Sequence, residues 1–322
     1  CGQAVQAMVL NALGLTGRAL YLMPEYMRNK PVDLLIGEGL VADDFNDDTL
    51  GRALDEVQQA GVTEMFARVA SKAVEVFEVE TDYAHLDTST IGLHGEYDSE
   101  LAQRAVKVFD AAEIRHGYSK EHRPDLKQVV VTLITSQASA LPLRLEVLDG
   151  NSSDKESFPA TIKEYCRQLQ GESPPWFVMD SAGYSEKNLK AWQEIGWVTR
   201  VPETVGEAKA VLQAVETEAM EEVSDGYRIC PLCNTYGDIR QRWLLVYSRQ
   251  AYARESKQLE KRIARAKEKA EKEWGKLQRS TFQCQADAKA AAVQFGEKLP
   301  WHQPQAEVVP LKTYAKPGRP AR

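Results

Sequence analysis

No stretch of this 322-residue chain comes near the ~18 consecutive apolar residues that a membrane-crossing helix needs, so no membrane partner is expected. The amino terminus, CGQAVQAMVL, lacks an initiator Met, a basic segment and a small-residue cleavage site. It reads as the middle of a helix rather than as a signal peptide. The tail, KTYAKPGRPAR, closes no obvious element, and the chain is expected to be an excerpt of a longer protein. Its five cysteines are odd in number and unevenly spaced, which points to reduced thiols in a cytoplasm. A chain that is 43% hydrophobic, with apolar residues in every region, is not disordered as its main state.

Net charge is −7, which taken alone speaks against a nucleic-acid partner. The average hides an asymmetry. Positions 226–322 hold 20 Lys+Arg and 9 Asp+Glu, whereas positions 1–225 hold 20 and 38. A basic end on an acidic chain suits a polyanion, and it equally suits a solvated helix.

Residues 3–79 read as helical. Val5, Met8, Val9, Ala12 and Leu13 share one face, with Gly14 as terminator. The run Asn46-Asp47-Asp48-Thr49 caps a helix that carries Leu50, Leu54 and Val57 and ends at Gly61. Thr63 is placed to cap the next helix, whose stripe is Phe66, Val69, Ala70, Ala73, Val74 and Phe77.

From 83 the period becomes that of strands. YAHLDTSTI puts His85, Asp87 and Ser89 on one face, and QVVVTLIT (128–135) reads as a buried central strand. Leu141, Leu143, Leu145 and Val147 alternate and form a hairpin partner across the turn 136–140. A helix over 153–169, capped by Ser153-Asp154, faces inward with Phe158, Ile162, Tyr165 and Leu169. The strand WFVM (176–179) ends at Asp180, Ser185 starts another helix, and WVTRV (197–201) is a strand. Strand–helix–strand order requires parallel pairing and the hairpin antiparallel pairing, so a mixed α/β sheet follows.

Beyond 203 a helical stretch (204–222) leads to two strands around Cys230-Pro231-Leu232-Cys233, then to a long helix over about 252–277. The CxxC is half of a zinc site by spacing; Cys166, Cys284 and His302 are scattered, and the cysteines serve equally as turn caps. In the long helix Tyr252, Ser256, Leu259, Ile263, Ala266, Ala270, Trp274 and Leu277 form a heptad-like stripe. Arg254, Lys257, Lys261, Arg262 and Arg265 lie on its other faces, a pattern open to coiled-coil packing and to DNA contact.

Two carboxylates stand out by position. Asp87 interrupts a strand, where propensity disfavours it, and Asp180 ends one, where open α/β sheets gather ligands. Brought together they repel unless a cation lies between them, and hard oxygen donors select Mg²⁺ or Mn²⁺. Either Asp taken singly is equally a turn or cap former.

The segments HLDTSTIGLHGEYD (85–98), HGYSKEHRPDLKQ (116–128), LDGNSSDKESF (148–158) and WFVMDSAGYSEKNL (176–189) together resemble the core of DDE transposases. The closer likeness is to insertion-sequence transposases, whose helical amino-terminal domain the stretches 7–39 and 46–55 resemble. That resemblance implies an α/β fold with an RNase H-like mixed sheet and flanking helices, after a helical domain at 1–79. The core would span 80–322, with a helix/strand insertion at about 203–322 after the second Asp. It implies Asp87 and Asp180 as catalytic metal ligands for two Mg²⁺ or Mn²⁺ ions, their carboxylates about 4–7 Å apart. The partners implied are DNA, as terminal inverted repeats and target, and a second copy in a synaptic homodimer. The setting implied is the cytoplasm of a bacterial or archaeal cell, at the nucleoid.

The third acid of such enzymes is a Glu within a Tyr/Arg/Glu/Lys pattern. Glu203, Glu207 and Glu221 come too early, and Glu255, Glu260 and Glu268 lack the flanking residues, so it is expected beyond residue 322. Lys120, Arg123 and Lys127, in a polar run with His116, Tyr118, Ser119 and His122, are candidates to contact DNA phosphate or to position a strand end near the metals, and the run otherwise reads as a solvated loop. Arg240, Arg242, Lys261 and Arg265 are further DNA candidates, though Arg240 and Arg242, before the strand WLLVYS, equally mark an edge strand. His85 and His94 suit structural roles better than a magnesium site. Asn151 and Asp154 either orient the site or cap the helix that follows.

Overall fold

The computed structural model describes residues 1–13, 19–95, 97, 104, 108, 111–171 and 173–310. Gly14, expected to end the first helix, lies outside the described residues. The chain divides into two compact units: Cys1–Ala210 with Thr235–Gln241, and Val211–Asn234 with Arg242–Arg322.

The first unit opens with helices α1 (Gly2–Leu13), α2 (Met23–Met27), α3 (Val32–Leu35), α4 (Asp47–Ala60) and α5 (Val62–Val76). Their core gathers Ala4, Ala7, Met23, Met27, Phe45 and Leu50. The expected face of α1 is corrected: Ala4, Ala7 and Asn11 are buried, while Val9 and Leu13 are exposed. Ala4 and Ala7 are small members of a core whose volume comes from larger side chains such as Met23 and Met27. The Asn46 side chain accepts the Thr49 amide and caps α4, as expected. Thr63 is not the cap of α5. Gly61, at φ 85°, ends α4 and begins α5 in one residue, leaving Thr63 inside the helix. On α5 Ala67 and Ala70 are buried, and Val69 and Phe77 are exposed.

A five-stranded mixed sheet follows: β1 (Tyr83–Leu93), β2 (Lys127–Ser136), β3 (Pro142–Leu148), β4 (Trp176–Met179) and β5 (Trp197–Thr199). The spatial order is β3-β2-β1-β4-β5. β1 and β2, and β2 and β3, are antiparallel, while β4 runs parallel to both β1 and β5. Helices α6 (Asp154–Gln168) and α7 (Glu186–Ala191) cross between the parallel strands. One face of β1, with Ala84, Leu86, Thr88 and Thr90, is buried with Phe177 and Met179 of β4. The Tyr165 ring of α6 meets Phe177 edge-on at 6.0 Å, so α6 covers that face. Tyr83, Asp87, Ile91, Val147, Trp176 and Val198 are all exposed.

The alternation in β3 turns out differently from the sequence pattern. A bulge between Ile134 and Thr135 pairs those residues with Arg144 and Pro142, so the strand changes phase after Leu143. Leu143 is buried, yet Val147 is exposed, and Arg144 is buried with the Glu146 side chain only 15% exposed. Arg144 pairs with Glu146 at 2.5 Å, and Thr161 of α6 donates to Glu146 at 2.7 Å. The buried charges are thus paired and hydrogen-bonded, as burial requires.

Past the sheet come α8 (Gly206–Ala214) and a three-stranded sheet, β6 (Glu221–Ser224), β7 (Tyr227–Tyr236) and β8 (Ile239–Ser248). Residues 221 and 222 are therefore strand, where the pattern suggested the end of a helix. Gly237 (φ 58°) and Asp238 (φ 63°) make the two-residue turn of the β7–β8 hairpin, the left-handed pair that its twist favours. Within the second unit, Ser248 caps the long helix α9 (Arg249–Gln278), and α10 (Gln285–Glu297) follows. Trp274 packs on Phe295 at 5.3 Å, and Ala270 is buried. Tyr252 and Leu259, toward the start of α9, are exposed.

Candidate functional site

The register between β1 and β4 determines how the two aspartates meet. Leu86 pairs with Met179, the last partners of the parallel ladder. One residue further along each strand stand Asp87 and Asp180. Neighbouring strands lie about 4.8 Å apart, so the two residues sit side by side and not on opposite edges of the sheet. Leu86 and Met179 are buried while Asp87 and Asp180 are exposed, so alternation raises both carboxylates from the same open face.

Each carboxylate is oriented by its own backbone. Asp87 Oδ1 accepts the Thr88 amide at 2.7 Å, and Asp180 Oδ1 accepts the Ala182 amide at 2.9 Å. The Thr199 hydroxyl donates to the Asp180 carbonyl at 2.6 Å, fastening the end of β4 to β5. One carboxylate oxygen of each residue is thereby engaged by an amide. The Asp87 side chain is 77% exposed. Magnesium characteristically uses one or two carboxylates and keeps several waters, so this pair of hard oxygen donors fits the expected ion. Among the described residues no group of three or more His, Cys, Asp and Glu side chains could hold a metal.

The segment 113–128 reaches the site through a close-packed crossing. Arg115 and Gln128 exchange backbone hydrogen bonds, and the Gln128 amide side chain donates to the Gly150 carbonyl at 2.8 Å. A Cβ on Gly150 would lie 2.0 Å from the Gln128 carbonyl oxygen, so only glycine permits this approach. The turn that follows is built by Ser119, whose carbonyl accepts the His122 amide and whose hydroxyl accepts the Arg123 amide. His122 takes a positive φ of 59°. That turn delivers Lys120 to β1.

Lys120 Nζ donates to Thr88 O at 2.5 Å and to Thr88 Oγ1 at 2.8 Å, and lies 3.7 Å from Asp87 Oδ1 and from Asp154 Oδ2. Thr88 Oγ1 in turn donates to Asp154 Oδ1 at 2.7 Å. The expected capping role of Asp154 is not what the structure shows: it is the first residue of α6, and its carboxylate turns to Thr88. The Lys120–Asp154 pairing joins residues far apart in sequence, and no spacing signal reveals it.

Arg123 is held in a two-pronged pair with Asp125, at 2.9 and 2.7 Å. The Arg123 guanidinium holds the Asp125 carboxyl at about 2, and the pair raises Arg123 above its ordinary range. Lys127 begins β2 opposite Leu93.

A family model described as "Domain of unknown function (DUF4277)" matches residues 1–71. No curated protein sequence matches the chain. Among solved structures, the chain is similar to the Mos1 transposase paired-end complex with left transposon end, at 10% identity and a TM-score of 0.24. That alignment covers 41% of this chain and 39% of the other. It is also similar to a piggyBac transposase synaptic complex with hairpin DNA, at 11% identity and a TM-score of 0.35. There it covers 76% of this chain and about half, 51%, of the neighbour.

The remaining candidates lie elsewhere. Arg240 and Arg242 alternate along β8 and are both exposed. Lys261 and Arg265, one helical turn apart on α9, are exposed in the second unit. Cys230 and Cys233 both fall inside β7, three residues apart. That spacing points their side chains to opposite faces, about 10 Å apart along the strand, which does not form a zinc-binding turn.

Proposed function

We propose that this chain is a fragment of a DNA transposase, and that the Asp87–Asp180 pair supplies two of the three acids of its reacting centre. The observation that carries this reading is the register Leu86↔Met179, which sets Asp87, inside β1, beside Asp180, just past the carboxyl end of the parallel strand β4, on one exposed face. The strand order β3-β2-β1-β4-β5, antiparallel on one side of β1 and parallel on the other, supports an RNase H-like core. The insertion-sequence motifs around both aspartates support the same reading.

In this reading Asp87 and Asp180 offer oxygens to divalent cations, Mg²⁺ or Mn²⁺. Such ions lower the pKa of a bound water and stabilise a leaving oxygen. The chain's own residues set the geometry. The Thr88 and Ala182 amides hold the carboxylates in fixed rotamers, and the Thr199 contact keeps Asp180 level with Asp87. Hydrolysis at an element end breaks one phosphodiester bond and frees a 3′-OH. That hydroxyl then attacks a target phosphodiester, forming one P–O bond as another breaks. Exposed Arg240, Arg242, Lys261 and Arg265 supply phosphate contacts, and a homodimer forms the synaptic complex with the element ends.

The absence of a three-ligand group among the described residues favours one second reading, a DNA-binding protein that does not cut. The test is incubation of the protein with DNA carrying the terminal repeats of its own element and Mg²⁺ or Mn²⁺. Nicked ends and joined products, both lost in Asp87→Asn and Asp180→Asn, are expected. Binding without any cut supports the second reading, and nicks without joined products indicate a nuclease.

A further inference from the structure

The Lys120 ammonium sits beside a carboxylate pair that repels itself, and nothing in the reading above uses it. Its anchoring is unusually complete. The β4 ladder stops at Leu86, so the Thr88 carbonyl, which points to the same side of β1, meets no strand neighbour. Lys120 Nζ takes that acceptor in place of a strand amide. A second proton goes to Thr88 Oγ1, which spends its own single proton on Asp154 Oδ1. The chain Lys120→Thr88→Asp154 therefore has one consistent direction. Lys120 remains only 3.7 Å from Asp87 Oδ1, too far for a hydrogen bond and close enough for charge attraction. Its side chain is 38% exposed and that of Asp154 is 25% exposed.

We propose that Lys120 is a tethered internal cation: Asp154 and Thr88 hold its ammonium at the flank of Asp87, where it lowers the affinity of the Asp87–Asp180 pair for a divalent cation. The idea rests on the cation-pair reading above and deepens it. Without a divalent ion the ammonium offsets the repulsion between the two carboxylates, so they hold their places. A divalent ion at Asp87 must then settle within several ångströms of a fixed positive charge. Asp154 sets how far the ammonium stays from Asp87, so it governs the same affinity from a distance. Lys120 is in this account a positioning residue that acts on the cation site, rather than a contact to DNA phosphate.

The test is titration of the purified chain with Mn²⁺, with free ion read by electron paramagnetic resonance. Lys120→Gln is expected to tighten Mn²⁺ binding up to about tenfold, the order that one charge some 5 Å from a divalent ion produces in high dielectric. Lys120→Arg keeps the charge and should bind within about twofold of the wild type. Asp154→Asn frees the ammonium to close on Asp87 and should weaken binding. Loss of structure alone would not tighten binding. Unchanged or weaker binding by a folded Lys120→Gln, checked by circular dichroism and thermal unfolding, overturns the proposal. If that variant does not fold, unchanged or tighter binding by Asp154→Asn overturns it. Wild-type Mn²⁺ affinity in Asp87→Asn would instead sink the cation-pair reading itself.

Discussion

The middle of β1 and the long helix α9 use cationic side chains in opposite ways. At β1, Lys120 is fixed by Thr88 and Asp154, and the neighbouring Arg123 is clamped by Asp125. On α9, Lys261 and Arg265 stand exposed one turn apart. A cation whose protons are already placed has fewer donors left for a partner than an exposed one. The overall net charge of −7 conceals this division, because it averages an acidic region that holds the carboxylate pair with a basic one.

The comparison breaks most readily at the carboxylates. Asp87→Asn should reduce metal-dependent DNA cleavage by about a hundredfold or more. The thermal midpoint should stay nearly unchanged, because the side chain is 77% exposed. Cleavage at the wild-type rate would detach the site from the chemistry. Next in size is a packing contrast. Phe158 of α6 is fully buried beneath the sheet, and Phe158→Ala should cost about 3–5 kcal/mol in urea unfolding. Leu259→Ala on α9, where the side chain is exposed, should cost well under half of that.

The charge division itself is sharpened by the double substitution of Lys261 and Arg265 to Ala. DNA affinity should fall at every sequence, and the slope of log affinity against log salt should flatten by about two. Mn²⁺ affinity should not move. An unchanged salt slope would remove α9 from the DNA contact.

The smallest effect belongs to the Arg123–Asp125 clamp. Asp125 titrates at about 2 in the folded chain against an ordinary 3.8, so the pair stabilises the fold fully above pH 4. That contribution is lost as pH falls from 3.8 toward 2. The pair is exposed, so the change is small. Asp125→Asn should lower the thermal midpoint slightly at pH 6 and leave it unaltered near pH 2.

How far the sequence led depends on whether a feature is local. The five strands, their mixed directions and the caps at Asn46 and Ser185 follow from periodicity and turn chemistry within a few residues. Asp87 and Asp180 were conspicuous for the same reason, one inside a strand and one just past its end. The phase of β3 was not legible, because a single bulge at Thr135 reverses which side chains face the helices. Nor was the burial of α1, where two small alanines rather than Val9 and Leu13 join the core. The Lys120–Thr88–Asp154 chain has no signature in the sequence because its members come together only through the Gly150 crossing and the Ser119 turn.

The central claim is that Asp87 and Asp180 act as one cation-binding pair, and a Mn²⁺ soak of crystals tests it most directly. An anomalous difference peak touching both carboxylates, about 2.1 Å from an oxygen of each, is the result this account predicts. Ordered crystals in which Mn²⁺ leaves that pair bare, or settles elsewhere, would contradict it.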